Sequence, residues 1–187
     1  MNVPTRVLLT CAAIGTAGGL LLVPVNLVSI AIGPVAPLAF AVLSGIWNTP
    51  FVAALALLRR PGVALLAALI AGIVNAILTP LGASAILTCL MVGAMVEVPL
   101  ALGLYRSWRA WIFYVGGGVF ALAYAVYSMT YLGSADWPVW TQVAYVVLSL
   151  ASSLGAIWLG RFIAARLEAA GLGRGTRSPG RERVTAA

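Results

Sequence analysis

The amino-acid sequence predicts an all-α integral membrane protein, a bundle of six transmembrane helices with both termini in the cytoplasm. Of its 187 residues, 63% are hydrophobic and 8% are charged, whereas a soluble domain carries about 25% charged residues. The apolar residues form long runs, as transmembrane helices of about 20 residues require. A transmembrane barrel would instead show alternating segments of about ten residues. The composition therefore excludes a soluble domain and favours a helical bundle.

Breaks rich in proline and glycine divide the apolar sequence into six predicted spans. The predicted spans cover residues 7–30, 38–58, 63–78, 83–104, 111–131 and 139–163. The third is the shortest, so we expect its flanking residues to complete the crossing. Pro24 lies inside the first span, where its missing backbone N–H should kink the helix or end it early. The loops between the spans are too short to hold a domain outside the membrane.

The arginines predict how the bundle is oriented. All eleven basic residues are arginines, and in a six-span count they fall on one side. That side carries Arg6, Arg59, Arg60, Arg106, Arg109 and every arginine from Arg161 onward. The loops on the other side contain no base and a single acid, Asp136. Because arginine accumulates in cytoplasmic loops, we expect both termini to lie on the cytoplasmic side of a bacterial plasma membrane.

Residues 1–170 form the predicted transmembrane domain, and residues 171–187 form a separate cytoplasmic tail. The tail is polar, glycine-rich and basic, a composition typical of disordered segments. Its arginines either contact anionic lipids of the inner leaflet or remain solvated. The tail carries four of the eleven arginines, and the others lie at the predicted helix ends and loops, so the net charge of +7 does not indicate a nucleic-acid partner.

One carboxylate, Glu97, lies in the middle of the predicted fourth span. An ionised side chain at this depth costs several kcal/mol unless it faces a partner or a cavity. A rise of about 1.5 Å per helical residue puts Glu97 at about the same depth as Asn48 and Asn75. An aromatic and amide group nearer the outer face would extend this layer into a path from outside; its members are Asn26, Tyr127, Tyr131, Trp137, Trp140 and Gln142. The predicted substrate-binding residues are Trp47, Asn48, Asn75, Glu97, Tyr127, Trp137 and Trp140.

Each of these residues also has a structural interpretation. Glu97 is either protonated and bonded to a backbone carbonyl, part of a proton path, or a ligand-binding group. Asn48 and Asn75 are equally consistent with hydrogen bonds between helices. Trp137 and Trp140 are consistent with the aromatic belt at the membrane surface. The same interior contains no arginine or lysine, so an anionic ligand would lack a counter-charge and a neutral or cationic ligand is favoured.

Two overlapping patterns of small residues mark the first span. Ala13 and Ala17 form one pair four residues apart, and Gly15 and Gly19 form the other. Small residues at this spacing let two helices approach closely in lipid. The partner helix belongs either to this bundle or to another protein, and we predict these four residues as a docking surface for a partner.

Several kinds of chemistry are absent from the chain. Without histidine there is no Ser-His dyad and no histidine metal site. The sequence has no P-loop lysine motif for ATP hydrolysis, and no paired aspartates that suggest metal-assisted phosphotransfer. We therefore expect no enzyme activity, no cofactor and no bound metal.

Four stretches between residues 45 and 108 follow one another in a characteristic order. They are Gly45-Ile46-Trp47, Arg59-Arg60-Pro61-Gly62, Gly93-Ala94-Met95-Val96-Glu97 with Pro99-Leu100-Ala101, and Tyr105-Arg106-Ser107-Trp108. With the six predicted spans, they resemble the substrate-binding S component of an energy-coupling factor (ECF) transporter. Within that group the chain is most similar to the YkoE-type proteins, which are associated with thiamine or its hydroxymethylpyrimidine precursor. The face around Ala13 and Ala17 resembles the surface with which S components dock on their coupling protein. The amide Asn75 is a departure, because such relatives are expected to carry an acid nearby.

This resemblance implies a membrane-embedded subunit, without an ATPase site of its own, that captures a vitamin from outside the cell. It would associate with a transmembrane coupling protein and two cytoplasmic ATPases. Glu97 would accept a hydrogen bond from an aminopyrimidine or face a thiazolium, while Trp47 and the outer aromatic residues stack on the ring. Asn48 and Asn75 would form hydrogen bonds with ring nitrogens of the ligand. Two other functions remain open: an autonomous proton- or cation-coupled carrier or channel that uses Glu97, and a structural subunit of a membrane complex.

Overall fold

A computed structural model describes residues 5–103, 105 and 108–172. In this part of the chain we find seven α-helices, two short 3₁₀ turns and no β-strand. The helices are α1 (Thr5–Ile32), α2 (Pro37–Ser44), α3 (Thr49–Leu58), α4 (Val63–Leu78), α5 (Ala83–Leu102), α6 (Ala110–Tyr131) and α7 (Val139–Ala169). The 3₁₀ turns are Gly45–Asn48, between α2 and α3, and Ser134–Asp136, before α7. Arg106 and the predicted tail from residue 173 onward lie outside the described residues.

Five segments of the described chain are long and apolar enough to cross a membrane. These segments are Thr5–Ile32, Pro37–Leu58, Ala83–Leu102, Ala110–Thr130 and Val139–Ala169. The predicted third span is α4, which has only 16 residues and a length of about 24 Å at 1.5 Å per residue. This is shorter than the apolar thickness of about 30 Å. Six complete crossings therefore stay a prediction.

Several helix boundaries differ from the predicted ones, and the predicted second span, residues 38–58, is divided into α2 and α3 by the 3₁₀ turn Gly45–Asn48. The first helix does not end early at Pro24 but continues to Ile32. The last helix extends to Ala169, six residues beyond its predicted end at residue 163. The chain stays helical there while its composition changes from apolar to mixed, so hydropathy alone places the end too early.

The small residues of α1 lie on two different faces of the helix. Gly15 and Gly19 are buried against α4, and a Cβ on Gly15 would lie 2.9 Å from the carbonyl oxygen of Ala67. Ala13 and Ala17 lie on the exposed side of the same helix. The prediction that all four residues dock a partner is therefore corrected for the two glycines. Their missing side chains are needed for close packing inside the bundle, while the alanine face remains accessible.

Replacing Gly15 by leucine should destabilise the bundle. The leucine side chain would have to displace the α4 backbone, and overpacking of this kind costs about 1–3 kcal/mol. We expect the midpoint of thermal unfolding of the purified protein in detergent to fall by several degrees. Ala17→Leu is the matched control, because Ala17 lies on the exposed face and its replacement should leave the midpoint unchanged. Equal midpoints for the two variants would contradict this packing arrangement.

The described arginines gather at one end of the bundle. Arg59 and Arg60 lie in the connection between α3 and α4, and Arg109 directly precedes α6. From the last third of α7, the guanidinium of Arg161 lies 5.9 Å from the ring centre of Phe113 and 5.7 Å from that of Tyr114, in the first turn of α6. The cytoplasmic location of this end is still a prediction.

Candidate ligand cavity

A cavity of about 320 Å³ opens at the end of the bundle opposite the arginines. Its walls come from the last turns of α1, from α2 and the 3₁₀ turn that follows it, from the first half of α5 and from the second half of α6. Pockets that bind small molecules range from about 300 to 1,000 Å³. The cavity is therefore large enough for a small organic ligand of one or two rings.

Aromatic side chains form a continuous wall of this cavity. Trp47 meets Phe40 edge-on at a centroid distance of 5.9 Å and Tyr124 at 5.5 Å. Tyr124 in turn stacks on Phe120 at 5.6 Å and lies 6.4 Å from Tyr127. All five rings line the cavity. Such a wall suits a flat ring, by stacking, or an organic cation, which is attracted to the faces of aromatic rings.

The polar groups of the cavity are few and uncharged. The hydroxyl of Thr88 donates to the carbonyl of Ser84 at 2.9 Å, and Ser128 is bonded to Tyr145 and to the α6 backbone. Ser29 Oγ and Trp47 Nε1 are buried, and within the described chain they have no hydrogen-bond partner. An unsatisfied buried polar group costs about 1–3 kcal/mol. A ligand or a water that reached these two atoms would offset that cost.

Asn26 connects the cavity with the helix behind it. Its Nδ2 donates to Asn75 Oδ1 at 2.8 Å, and Asn75 Nδ2 donates to the backbone carbonyls of Gly19 and Ala71. Asn75 is completely buried and lies one layer behind the cavity wall, whereas Asn26 lines the wall itself. A side chamber of about 20 Å³, shared by Asn26, Trp47 and other residues, continues inward and has room for about one water.

Glu97 lies at the other end of the bundle and caps α4. Its carboxylate accepts hydrogen bonds from the backbone N–H groups of Gly62 and Leu65, the latter at 3.3 Å, and from the Tyr105 hydroxyl at 2.9 Å. The first N–H groups of a helix lack partners within it and carry partial positive charge, which makes them suitable partners for a carboxylate. Burial, followed by this hydrogen bond and the charge of Glu97, raises the pKa of Tyr105 to about 12.

The expectation that Glu97 meets the ligand is therefore not supported by its position. The depth estimate measured distance along one helix and could not include the N-terminus of the short α4, which comes within hydrogen-bond distance of the carboxylate. The side chain is 4% exposed, and its polar partners are supplied by the protein itself. It is not among the residues that line the cavity.

The other predicted site residues divide in the same way. Trp47 and Tyr127 line the cavity. Asn48 is buried away from it, and neither its Oδ1 nor its Nδ2 bonds to a residue of the described chain. Trp137 packs against Tyr145 at a centroid distance of 5.7 Å, and Trp140 is 66% exposed. Neither of these two tryptophans lines the cavity; Trp137 precedes α7, and Trp140 lies in its first turn.

Sequence analysis missed several residues that line the cavity. Phe120, Tyr124 and Tyr127 lie four and three residues apart, so they share one face of α6, and this aromatic stripe was a detectable signal. Asn26 also lines the cavity; the sequence placed it near the outer face but not among the predicted substrate-binding residues. No pattern in the sequence distinguishes Phe40 or Ser29 from ordinary apolar or small residues of a membrane helix.

Comparison with known proteins agrees with this architecture. A crystal structure of an S component of an ECF transporter superposes with a TM-score of 0.80 and 22% sequence identity, covering 91% of this chain and 88% of that one. This similarity shows the fold. No curated protein matches the sequence. Residues 6–123 match a family described as the permease component of the ABC-type cobalt transport system. Since the match covers well over half of the 187 residues, the chain belongs to this family of transport permease components.

Proposed function

We propose that this chain is the substrate-capture subunit of an ECF-type importer and that its cargo is a small, flat nitrogen heterocycle, with thiamine or its hydroxymethylpyrimidine precursor as the leading candidates. The observation that carries the proposal is the aromatic cavity, which opens at the arginine-free end of a chain with the S-component fold. A site that opens outward is what capture from outside the cell requires.

The chemistry of the cavity favours the neutral pyrimidine over the cationic vitamin. Its walls contain five aromatic rings and no charged side chain. A thiazolium would find ring faces as its main electrostatic partners, with no carboxylate beside it. A neutral aminopyrimidine can stack on the same rings without the cost of transferring an uncompensated charge from water.

The family description supports a second candidate cargo, the cobalt ion. Divalent cobalt binds most tightly to imidazole, thiolate and carboxylate groups. The chain contains no histidine, the cavity has no cysteine, aspartate or glutamate in its lining, and the described residues form no group of three or more potential ligands. The cavity therefore suits an organic ligand better than a bare cobalt ion.

Energy for transport would come from partner subunits. We propose that the exposed alanine face of α1, with Ala13 and Ala17, docks on a transmembrane coupling protein, which two cytoplasmic ATPases serve in turn. In this arrangement the chain binds its cargo at the outer face of the plasma membrane and releases it inward only within the complex. An autonomous carrier is less well supported, because the acidic group that it would use, Glu97, caps α4 instead.

A direct binding experiment tests this function. Titration of the purified chain in detergent with hydroxymethylpyrimidine, thiamine or cobalt chloride should change tryptophan fluorescence saturably for the pyrimidine, because Trp47 lies in the cavity wall. In liposomes the chain alone should bind but not accumulate the ligand. Saturable cobalt binding without pyrimidine binding would favour the second candidate, and sustained uptake by the chain alone would favour a carrier.

A further inference from the structure

We propose that Asn26 reads the ligand through its carbonyl oxygen, and that Asn75 fixes it in this orientation. The inference rests on the proposed function and deepens it, because it assigns the group on the cargo that the cavity recognises. That group is an N–H donor on a flat heterocycle, such as the exocyclic amino group of an aminopyrimidine.

The first step is the orientation of Asn75. One of its terminal amide atoms lies 3.0 Å from the carbonyl oxygen of Gly19 and 2.9 Å from that of Ala71. Backbone carbonyls only accept hydrogen bonds, so the atom that faces both of them has to be the NH₂ group. The reversed amide would place three oxygens together in a site from which water is excluded. The backbone of α1 and α4 therefore determines which way Asn75 points.

The second step passes this orientation on to Asn26. With its NH₂ group committed to the backbone, Asn75 presents its Oδ1 to the side chain of Asn26 at 2.8 Å. An amide oxygen accepts only, so Asn26 has to present its own NH₂ group in return. This leaves Asn26 Oδ1 available as an acceptor, since the side-chain hydrogen bond of Asn26 within the described chain is made through its Nδ2.

The third step is the position of that oxygen in the cavity. Asn26 is the one amide that lines both the main cavity and the side chamber. Asn26 therefore offers a neutral acceptor among aromatic rings and hydroxyl groups, and its orientation is fixed by the hydrogen bond to Asn75. A ligand that donates an N–H there gains a hydrogen bond, whereas a ligand that presents another acceptor would place its oxygen or nitrogen against the oxygen of Asn26. Asn75 does not touch the ligand, and it acts as a positioning residue.

The ratio of two affinities tests this proposal. The purified full chain is titrated calorimetrically with hydroxymethylpyrimidine and with the analogue in which hydrogen replaces the exocyclic amino group. We expect the wild type to prefer the amino compound by at least about tenfold. In the complex with the other analogue, Asn26 Oδ1 would be covered by the ligand without receiving a hydrogen bond. In Asn75→Leu the amide of Asn26 is free to turn, so the preference should fall to roughly threefold or less. In Asn26→Leu, which removes the acceptor itself, it should disappear.

Gln142→Leu is the matched control. Like Asn75, Gln142 donates to backbone carbonyls, those of Ser134 and Trp137, but it does not line the cavity. The Gln142→Leu variant should keep the full preference for the amino compound. Equal affinity of the wild type for the two pyrimidines, or an unchanged preference in Asn26→Leu, overturns the inference and leaves the proposed function standing. If the wild type binds neither pyrimidine, the proposed pyrimidine cargo and this inference fail together. The affinity ratio separates positioning from a general loss of stability, which would weaken both ligands alike.

Discussion

Replacing Trp47 by alanine should weaken binding of the pyrimidine ligand by roughly 30- to 150-fold. The indole lies in the cavity wall between Phe40 and Tyr124, so its removal takes away one face of the aromatic enclosure. Loss of that contact area corresponds to about 2–3 kcal/mol, given the surface that a tryptophan buries and the free energy per unit of apolar area. The dissociation constant measured by calorimetry on purified protein is the appropriate readout.

Two further variants make this prediction specific. Trp47→Phe retains an aromatic face, so its affinity for the ligand should fall by less than that of Trp47→Ala. The thermal unfolding midpoint of Trp47→Phe shows whether a substitution at this position leaves the fold intact. Trp140→Ala removes another tryptophan at the outer end of the bundle, one that is 66% exposed and does not line the cavity. It should bind the ligand as the wild type does. A large loss in Trp140→Ala, with little change in Trp47→Ala, would place the ligand at the mouth of the bundle instead.

Replacing Glu97 by glutamine should destabilise the fold without changing ligand affinity. The carboxylate accepts hydrogen bonds from Gly62, Leu65 and Tyr105 at the start of α4. A glutamine has only one acceptor oxygen, and its NH₂ group would face backbone donors. Hydrogen bonds to a charged group contribute about 1.5–3 kcal/mol, and the favourable interaction with the helix N-terminus is lost as well. We therefore expect a clear fall in the thermal unfolding midpoint.

The unfolding midpoint and the ligand affinity, measured together, distinguish a structural cap from an acid that binds the ligand. Tyr105→Phe removes just one of the three donors to the carboxylate, so its unfolding midpoint should lie between those of the wild type and Glu97→Gln. All three proteins should bind the pyrimidine with the same affinity at a temperature where they are folded. A Glu97→Gln variant with normal thermal stability and strongly reduced affinity would return Glu97 to the ligand site.

The candidate site shows clearly where inference from sequence stops. Trp47 and Tyr127 were predicted as binding residues from their depth along the helices, and both line the cavity. Glu97 was also predicted to bind the ligand, yet its partner is the N-terminus of α4. A charged residue in a membrane helix has to be satisfied, but the sequence does not say whether a ligand or the protein's own backbone satisfies it.

The glycines of α1 show the same limit at the level of packing. The four-residue spacing predicted a close helix contact, and Gly15 and Gly19 do make one. Which of two overlapping small-residue faces turns inward depends on the rotation of α1 about its axis. That rotation is set by all the helices together, so a local pattern cannot reveal it.

The sequence by itself determined that this protein is a helical membrane protein, how its apolar segments divide, and that its arginines share one end. These properties follow from residue counts and from distance along the chain, because the apolar thickness of the bilayer fixes how long and how apolar a spanning helix has to be. The tertiary structure alone decided that Asn75 lies behind Asn26, that the cavity is built from α1, α2, α5 and α6, and that Glu97 caps α4. These are contacts between helices distant in sequence, and hydrophobicity constrains the depth of a residue far more than the direction in which its side chain points.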